Sequence, residues 1–369
     1  MPLRKATSFL AAVLLTVALA AGCSSSAKTG ADSSASSSSS SEQTTNSAGS
    51  GTGSTATDSV SSDRAANTDQ PRPAAAGPFN VGRQSVTYVD KSRKTNADPM
   101  RGFPEKPERT LPVMLLYPAA GSPTESGDPT EGAPAAKGSF PFIVFSHGIT
   151  ASGPIYSVLV QRWARAGYVV AAPTYPLTSV GAKFPGDPVA LTDYKNQPAD
   201  VKFVIDSVLA QAKDAKDPLH GHVDASRIGV AGHSLGAITT IGLVYNSCCT
   251  EKRVKAAEEF SGAELPFDGG TFTPFPKTPL LIVHGAKDGT VPVAAGDKVL
   301  ADATGPTWSL RYPDAGHVNA VFPGPYFDTT VKVSIDFWNA QLKGAPDALK
   351  ADQADVQAGG LGTLTTKNG

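Results

Sequence analysis

The sequence predicts an α/β protein with a mostly parallel central sheet and helices on both of its faces. Two features carry that prediction: short, unbroken apolar runs bounded by Gly and Pro, and apolar residues at helical spacing between those runs. A strand covered on both faces reads as a continuous apolar run. Repeated strand-helix units joined by right-handed crossovers give an open sheet of that kind.

Val86 to Val89 and Val113 to Tyr117 open the fold as strands, the second leading into a Pro/Gly-rich loop from Pro118 to Ser139. Phe142 to Phe145 is the clearest continuous run. Ile155, Leu159 and Trp163 then recur at helical spacing up to Gly167, which makes Trp163 a core residue. Tyr168 to Ala172 returns as strand. After the break at Pro198, the residues Val201, Val204, Ile205, Val208 and Leu209 fall on one helix face. Arg227 to Ala231 is the next strand and Leu235 to Tyr245 the next helix. Strands follow at Val254 to Phe260 and Pro279 to His284, then a helix at Ala294 to Ala303, a strand at Trp308 to Tyr312 and a closing helix at Phe327 to Leu342. About eighteen residues separate Phe260 from Pro279, too few for a helical lid domain.

Four segments organise the chain: an export signal over 1–22, a Ser/Thr/Ala/Gly-rich tether over 23–77, a folded domain over 78–345 and a flexible tail over 346–369. Arg4 and Lys5 precede an apolar run from Phe9 to Ala20, which has the charged start and short apolar centre of an export signal. It is shorter than the roughly 20 residues of a membrane span. Leu19-Ala20-Ala21-Gly22-Cys23 resembles a lipoprotein lipobox, although Ala20 stands where Leu is usual. On that reading Cys23 becomes the first mature residue, carries a lipid and anchors the protein to the outer side of the cell membrane. Ordinary secretion is the alternative, with Ala18-Leu19-Ala20 as a small-residue cleavage site. The tether has almost nothing large and apolar and is expected to be disordered.

The 32 Lys and Arg stand against 33 Asp and Glu, a net charge of −1, so no concentrated basic face points to nucleic acid. Three cysteines exclude a disulfide-built miniprotein. Adjacent Cys248 and Cys249 read as two small, partly buried thiols at a helix end, because neighbouring Cα atoms are about 3.8 Å apart and disulfides prefer more, with a strained vicinal disulfide acting as a redox switch as the alternative. His220-Gly221-His222 offers two metal ligands without a third nearby, so a solvent-exposed loop is expected there.

The chemistry gathers where strands end. Gly232-His233-Ser234-Leu235-Gly236 is a G-x-S-x-G motif between a strand and a helix. In that context small residues let the serine sit on a sharp turn at a helix N-terminus. Serine needs a base to take its proton and an acid to orient that base. His317, in the loop after the last predicted strand, is the candidate base, and Asp288, in Gly285-Ala286-Lys287-Asp288-Gly289, the candidate acid. Asp314 is the rival carboxylate, but it lies in the loop of His317 and is expected to shape that loop. The backbone N–H groups of Leu235 and Ile149 are the candidate oxyanion donors. His147 is expected to pack rather than catalyse. Tyr175, Leu177 and Phe184, in the loop Pro173 to Tyr194, are candidate pocket walls or simply packed loop residues.

With the order Ser234, Asp288, His317 and the stretch His147-Gly148, the chain resembles α/β-hydrolases of the dienelactone hydrolase, chlorophyllase, platelet-activating-factor acetylhydrolase and polyester hydrolase neighbourhood. The resemblance spans Pro78 to Lys343. It implies a serine esterase that cleaves small-molecule or lipid esters through an acyl-enzyme, without cofactor or metal. Serine at 234 departs from dienelactone hydrolases proper, which use cysteine. Ser261-Gly262-Ala263-Glu264 stands where polyester hydrolases place a tryptophan. The alternatives are a polyester or lipid hydrolase and a non-catalytic binding lipoprotein on the same scaffold.

Overall fold

A computed structural model describes residues 77–123, 127–183 and 186–369. The export signal, Cys23 and all but the last residue of the expected tether lie outside the described residues. The strands are β1 (Asn80–Asp90), β2 (Arg109–Ala119), β3 (Thr130–Glu131), β4 (Phe140–Ser146), β5 (Val169–Pro173), β6 (Val223–His233), β7 (Val254–Phe260), β8 (Leu280–Gly285), β9 (Thr307–Tyr312) and β10 (Thr363–Lys367). The helices are α1 (Ser157–Arg165), α2 (Pro188–Thr192), α3 (Gln197–Gln211), α4 (Leu235–Tyr245), α5 (Val293–Asp302), α6 (Phe327–Lys343) and α7 (Asp347–Ala358).

The strands form one sheet in the order β10-β9-β8-β7-β6-β4-β5-β2-β1-β3. Every neighbouring pair from β5 through β4, β6, β7 and β8 to β9 is parallel. Pairs β1–β2, β2–β5 and β9–β10 are antiparallel. Along each central strand the side chains alternate between two cores, as the strand period requires. Ile143 and Phe145 pack with Trp163 of α1 and Trp338 of α6 on one face. Phe142 and Val144 pack with Val204 of α3 and Ile241 of α4 on the other. Trp163 and Trp338 meet edge to face, 5.9 Å apart between ring centres.

Three expectations are corrected. Gly153–Tyr156 is a 3₁₀ turn, and α1 begins only at Ser157. The tighter turn rotates the buried stripe, so Ile155 is 44% exposed while Tyr156 is 3% exposed and takes its place in the core. The expected tail is folded: α7 and β10 lie within 346–369, and Leu349, Val356 and Leu364 are buried. Its composition is polar, yet Leu349 and Val356 fall seven residues apart on one helix face, and β9 offers an unpaired edge on which Leu364 sits opposite Leu310. Lys332 of α6 also pairs with the buried Asp352 of α7. Finally, Cys248 and Cys249 are joined by a disulfide. The chain turns sharply where it leaves α4: Cys248 N–H donates to the Asn246 side chain and Cys249 N–H to the Asn246 carbonyl, both at 3.1 Å. That turn brings the two sulfurs side by side.

The centre of the sheet carries two adjacent, fully buried carboxyl groups on β7, Glu258 and Glu259, one toward each core. Ser334 of α6 donates to Glu258 at 2.7 Å, but burial dominates and pushes its pKa from 4.5 up to about 8. The folded state therefore holds a proton that the unfolded chain gives up above about 4.5, and stability falls as pH rises from there to about 8. Glu258→Gln should remove this part of the decline, seen as a flatter melting temperature against pH between 5 and 8. An unchanged slope would show that Glu258 is not the group responsible.

Candidate functional site

The site is built at the carboxyl ends of the parallel strands, where open α/β sheets place ligands. Ser234 stands alone between β6 and α4, with φ 57° and ψ −118°. A non-glycine residue in that region costs on the order of 1–3 kcal/mol and persists only when its surroundings force it. Here they do. A Cβ on Gly232 would overlap the Gly236 carbonyl, and one on Gly236 would overlap the carbonyls of Ser146 and His147. Only glycine lets β4, β6 and α4 approach this closely, and the approach forces the turn that raises Ser234 to the N-terminus of α4.

Facing it is the loop after β4. His147 is fully buried; its Nδ1–H donates to the Gly148 carbonyl at 2.7 Å and its Nε2 accepts from Tyr175 N–H at 3.0 Å. Burial lowers its pKa to about 4, so it stays neutral and packs. Neither Ile149 N–H nor Leu235 N–H has a hydrogen-bond partner among the described residues. Both residues line the same cavity as Ser234.

From the far side, β8 delivers Asp288 and β9 delivers His317. His317 Nδ1–H donates to Asp288 Oδ2 at 2.8 Å. Asp288 Oδ1 accepts from Thr290 and Val291 N–H at 2.8 and 2.9 Å. His284 Nε2, which donates to the Val291 carbonyl at 3.0 Å, lies 3.3 Å from Asp288 Oδ2. Burial pushes the Asp288 carboxyl up, but hydrogen bonds from His284, His317 and Val291 outweigh it and hold the group far below the usual carboxylate range. Asp314, the rival, instead pairs with Lys287 at 2.6 Å on the surface. His317 sits against the elbow, its ring 4.7 Å from that of His233 and its carbonyl accepting from His233 Nε2–H at 2.9 Å. The Ser234 hydroxyl has no hydrogen-bond partner among the described residues, so serine, His317 and Asp288 do not form a closed chain, and it is His233, the residue before the serine, that contacts His317. The bonds that close such a chain commonly tighten only when substrate binds.

A cavity of about 170 Å³ opens beside Ser234, walled by Leu191, Ile238, Leu265, Val291 and Pro292. Tyr194 also lines it, its hydroxyl held by the Pro266 carbonyl at 2.6 Å. The walls from the loop Pro173 to Tyr194 are thus Leu191 and Tyr194, which sequence reasoning missed. Tyr175 is buried behind the loop against Ser146, and Leu177 is buried too; neither lines this cavity. Phe184 lies outside the described residues. No periodicity marks which residues of such a loop face inward, so the sequence held no signal for the choice. His222 Nδ1–H donates to the Gly138 carbonyl at 2.7 Å, and no group of three or more His, Cys, Asp or Glu among the described residues is placed to hold a metal ion.

A family model described as chlorophyllase matches residues 130–257, a stretch that contains Ile149 and Ser234 but not Asp288 or His317. A chloroplastic chlorophyllase-1 from Citrus sinensis is 28% identical over 155 residues, covering 39% of this chain and 44% of that protein. The chain thus spans less than half the length of the curated relative it matches. Among solved structures, a ferulic acid esterase from Streptomyces cinnamoneus aligns with a TM-score of 0.58 at 21% identity, over 80% of this chain and 99% of that one. That likeness is one of fold: a mostly parallel sheet covered by helices, with a strained serine turn after β6, is the α/β-hydrolase architecture.

Proposed function

We propose that the protein is a cell-envelope serine hydrolase that cleaves carboxylic esters through an acyl-enzyme. The observation that carries this reading is Ser234, raised on its elbow beside the His317–Asp288 hydrogen bond and open to an apolar cavity. Ser234 attacks the acyl carbon as His317 takes its proton. Asp288 holds the Nδ1–H tautomer and stabilises the positive ring that forms. The N–H groups of Leu235 and Ile149 receive the oxyanion, each such donor supplying on the order of 3 kcal/mol. His317 then protonates the leaving alcohol, and water repeats the sequence on the acyl-enzyme. The chlorophyllase similarity supports an ester as the scissile group. Anchoring through Cys23 on the outer face of the cell membrane completes the proposal, with secretion as its alternative.

The direct test is hydrolysis of p-nitrophenyl esters from acetate to palmitate. Ser234→Ala and Asp288→Asn should each lower kcat by about 10³-fold or more. Turnover that survives Ser234→Ala would sink the mechanism, and an inactive wild type would move weight to the binding role.

The cavity of about 170 Å³ should favour short to medium acyl chains. Filling it by Ile238→Trp should move the optimum toward acetate, by about tenfold or more in relative kcat/KM. An unmoved optimum would place the acyl group elsewhere.

Replacing Cys23 with Ala should release the protein from the membrane fraction into the medium. Unchanged retention would count against lipidation.

A further inference from the structure

Three loops from distant parts of the chain meet around Ser234, and one chain of hydrogen bonds runs through all of them. Gly148 N–H, in the loop that carries Ile149, donates to Tyr156 Oη at 3.2 Å. Tyr156 Oη lies 2.8 Å from His233 Nδ1, the residue before Ser234. His233 Nε2 lies 2.9 Å from the carbonyl of His317. The directions follow from the groups themselves. A carbonyl only accepts, so Nε2 carries the proton. Burial and the neighbouring His317 lower the His233 pKa to about 3, so the ring is neutral and Nδ1 is a bare acceptor. Tyr156 must then donate to Nδ1, leaving its oxygen free to take Gly148 N–H.

Nothing in the relay is spare. Tyr156 and His233 are each 3% exposed. The Tyr156 ring is held between Phe145, 4.8 Å away, and Phe322, 5.2 Å away. A Cβ on Gly148 would stand 3.1 Å from Tyr156 Oη and 3.3 Å from both His233 Nδ1 and Ser234 Cβ, so the loop that carries Ile149 also packs closely on the elbow. Resting on the esterase reading above, we infer that Tyr156 and His233 are positioning residues, whose relay locks the oxyanion loop and the base loop to the nucleophile elbow as one unit.

No residue of the relay itself lines the acyl cavity, so its loss should act on turnover rather than on substrate binding. In the transition state the oxyanion donors and the His317 ring must be in place together, and a shift of about 1 Å can cost up to about a hundredfold. Tyr156→Phe keeps the ring packing and deletes the hydroxyl alone. It should lower kcat on p-nitrophenyl butyrate by about tenfold or more, with KM within about twofold of wild type.

His233→Ala should do the same. Because both changes cut one chain, the double variant should fall within about twofold of the worse single variant, whereas two separate packing defects would multiply. A Tyr156→Phe kcat within about twofold of wild type, or multiplying effects, would overturn the inference.

Nitrogen-15 NMR of the full chain reads the relay without turnover. Wild type should show His233 as the neutral Nε2–H tautomer, and Tyr156→Phe should shift both the His317 ring signals and the Ile149 amide. No shift at either overturns the relay whatever the activity. Those shifts in a wild type that hydrolyses no ester would support the relay and strike the ester reading alone.

Discussion

The strained turn at Ser234 is the constraint on which the rest of the site hangs. Its backbone costs on the order of 1–3 kcal/mol, and that cost is offset only because β4, β6 and α4 are pressed together through Gly232 and Gly236. The same closeness sets Ile149 and Leu235 on one cavity and lets His233 reach the His317 carbonyl. Removing either glycine would disturb more than the serine. A Cβ at Gly236 would push α4 away from β4 and one at Gly232 would push α4 away from β6, because in both places the extra methyl group has backbone rather than a yielding side chain in its way.

A second constraint lies behind the cavity wall. Arg109 of β2 donates to both Asp193 and Asp200, with bonds of 2.7 Å to each, and all three side chains are almost wholly buried. Burying charge is expensive, and a lone charge left by deleting one partner costs on the order of 3–5 kcal/mol. The trio therefore acts as a fixed strut between β2, the 3₁₀ turn Asp193–Asn196 and the first turns of α3. Tyr194, which lines the cavity, is the residue next to Asp193. The Tyr194 wall of the cavity is thus tied, one residue away, to a buried cluster of charge that takes no part in the lining.

Much of this was legible in the sequence where local chemistry marks a boundary. Helix α4 and strand β7 begin and end at the residues that periodicity and the elbow glycines indicate. Asp288 was distinguishable from Asp314 because Asp314 shares the loop of His317 whereas Asp288 follows a different strand, and Asp288 is the one bonded to His317. What stayed hidden has no local mark. The face of α1 was misread because a 3₁₀ turn and an α-helix look alike over four residues. The segment 346–369 was misread because Leu349, Val356 and Leu364, spaced through a polar stretch, reveal a buried stripe only once β9 is known to have a free edge. Tyr156 and His233 are 77 residues apart, and their partnership exists only in three dimensions.

That last-formed edge has a consequence for how the molecule comes into being. Up to β9 the sheet ends in an open row of backbone donors and acceptors, and it is β10 that covers them. Because β10 follows every other described strand, a chain folded only as far as α6 would leave that row bare. An unpaired strand edge is a template on which a second chain can add itself. Docking of the roughly two dozen residues after α6, a stretch remote from the chemistry, is therefore what closes that edge to a second chain.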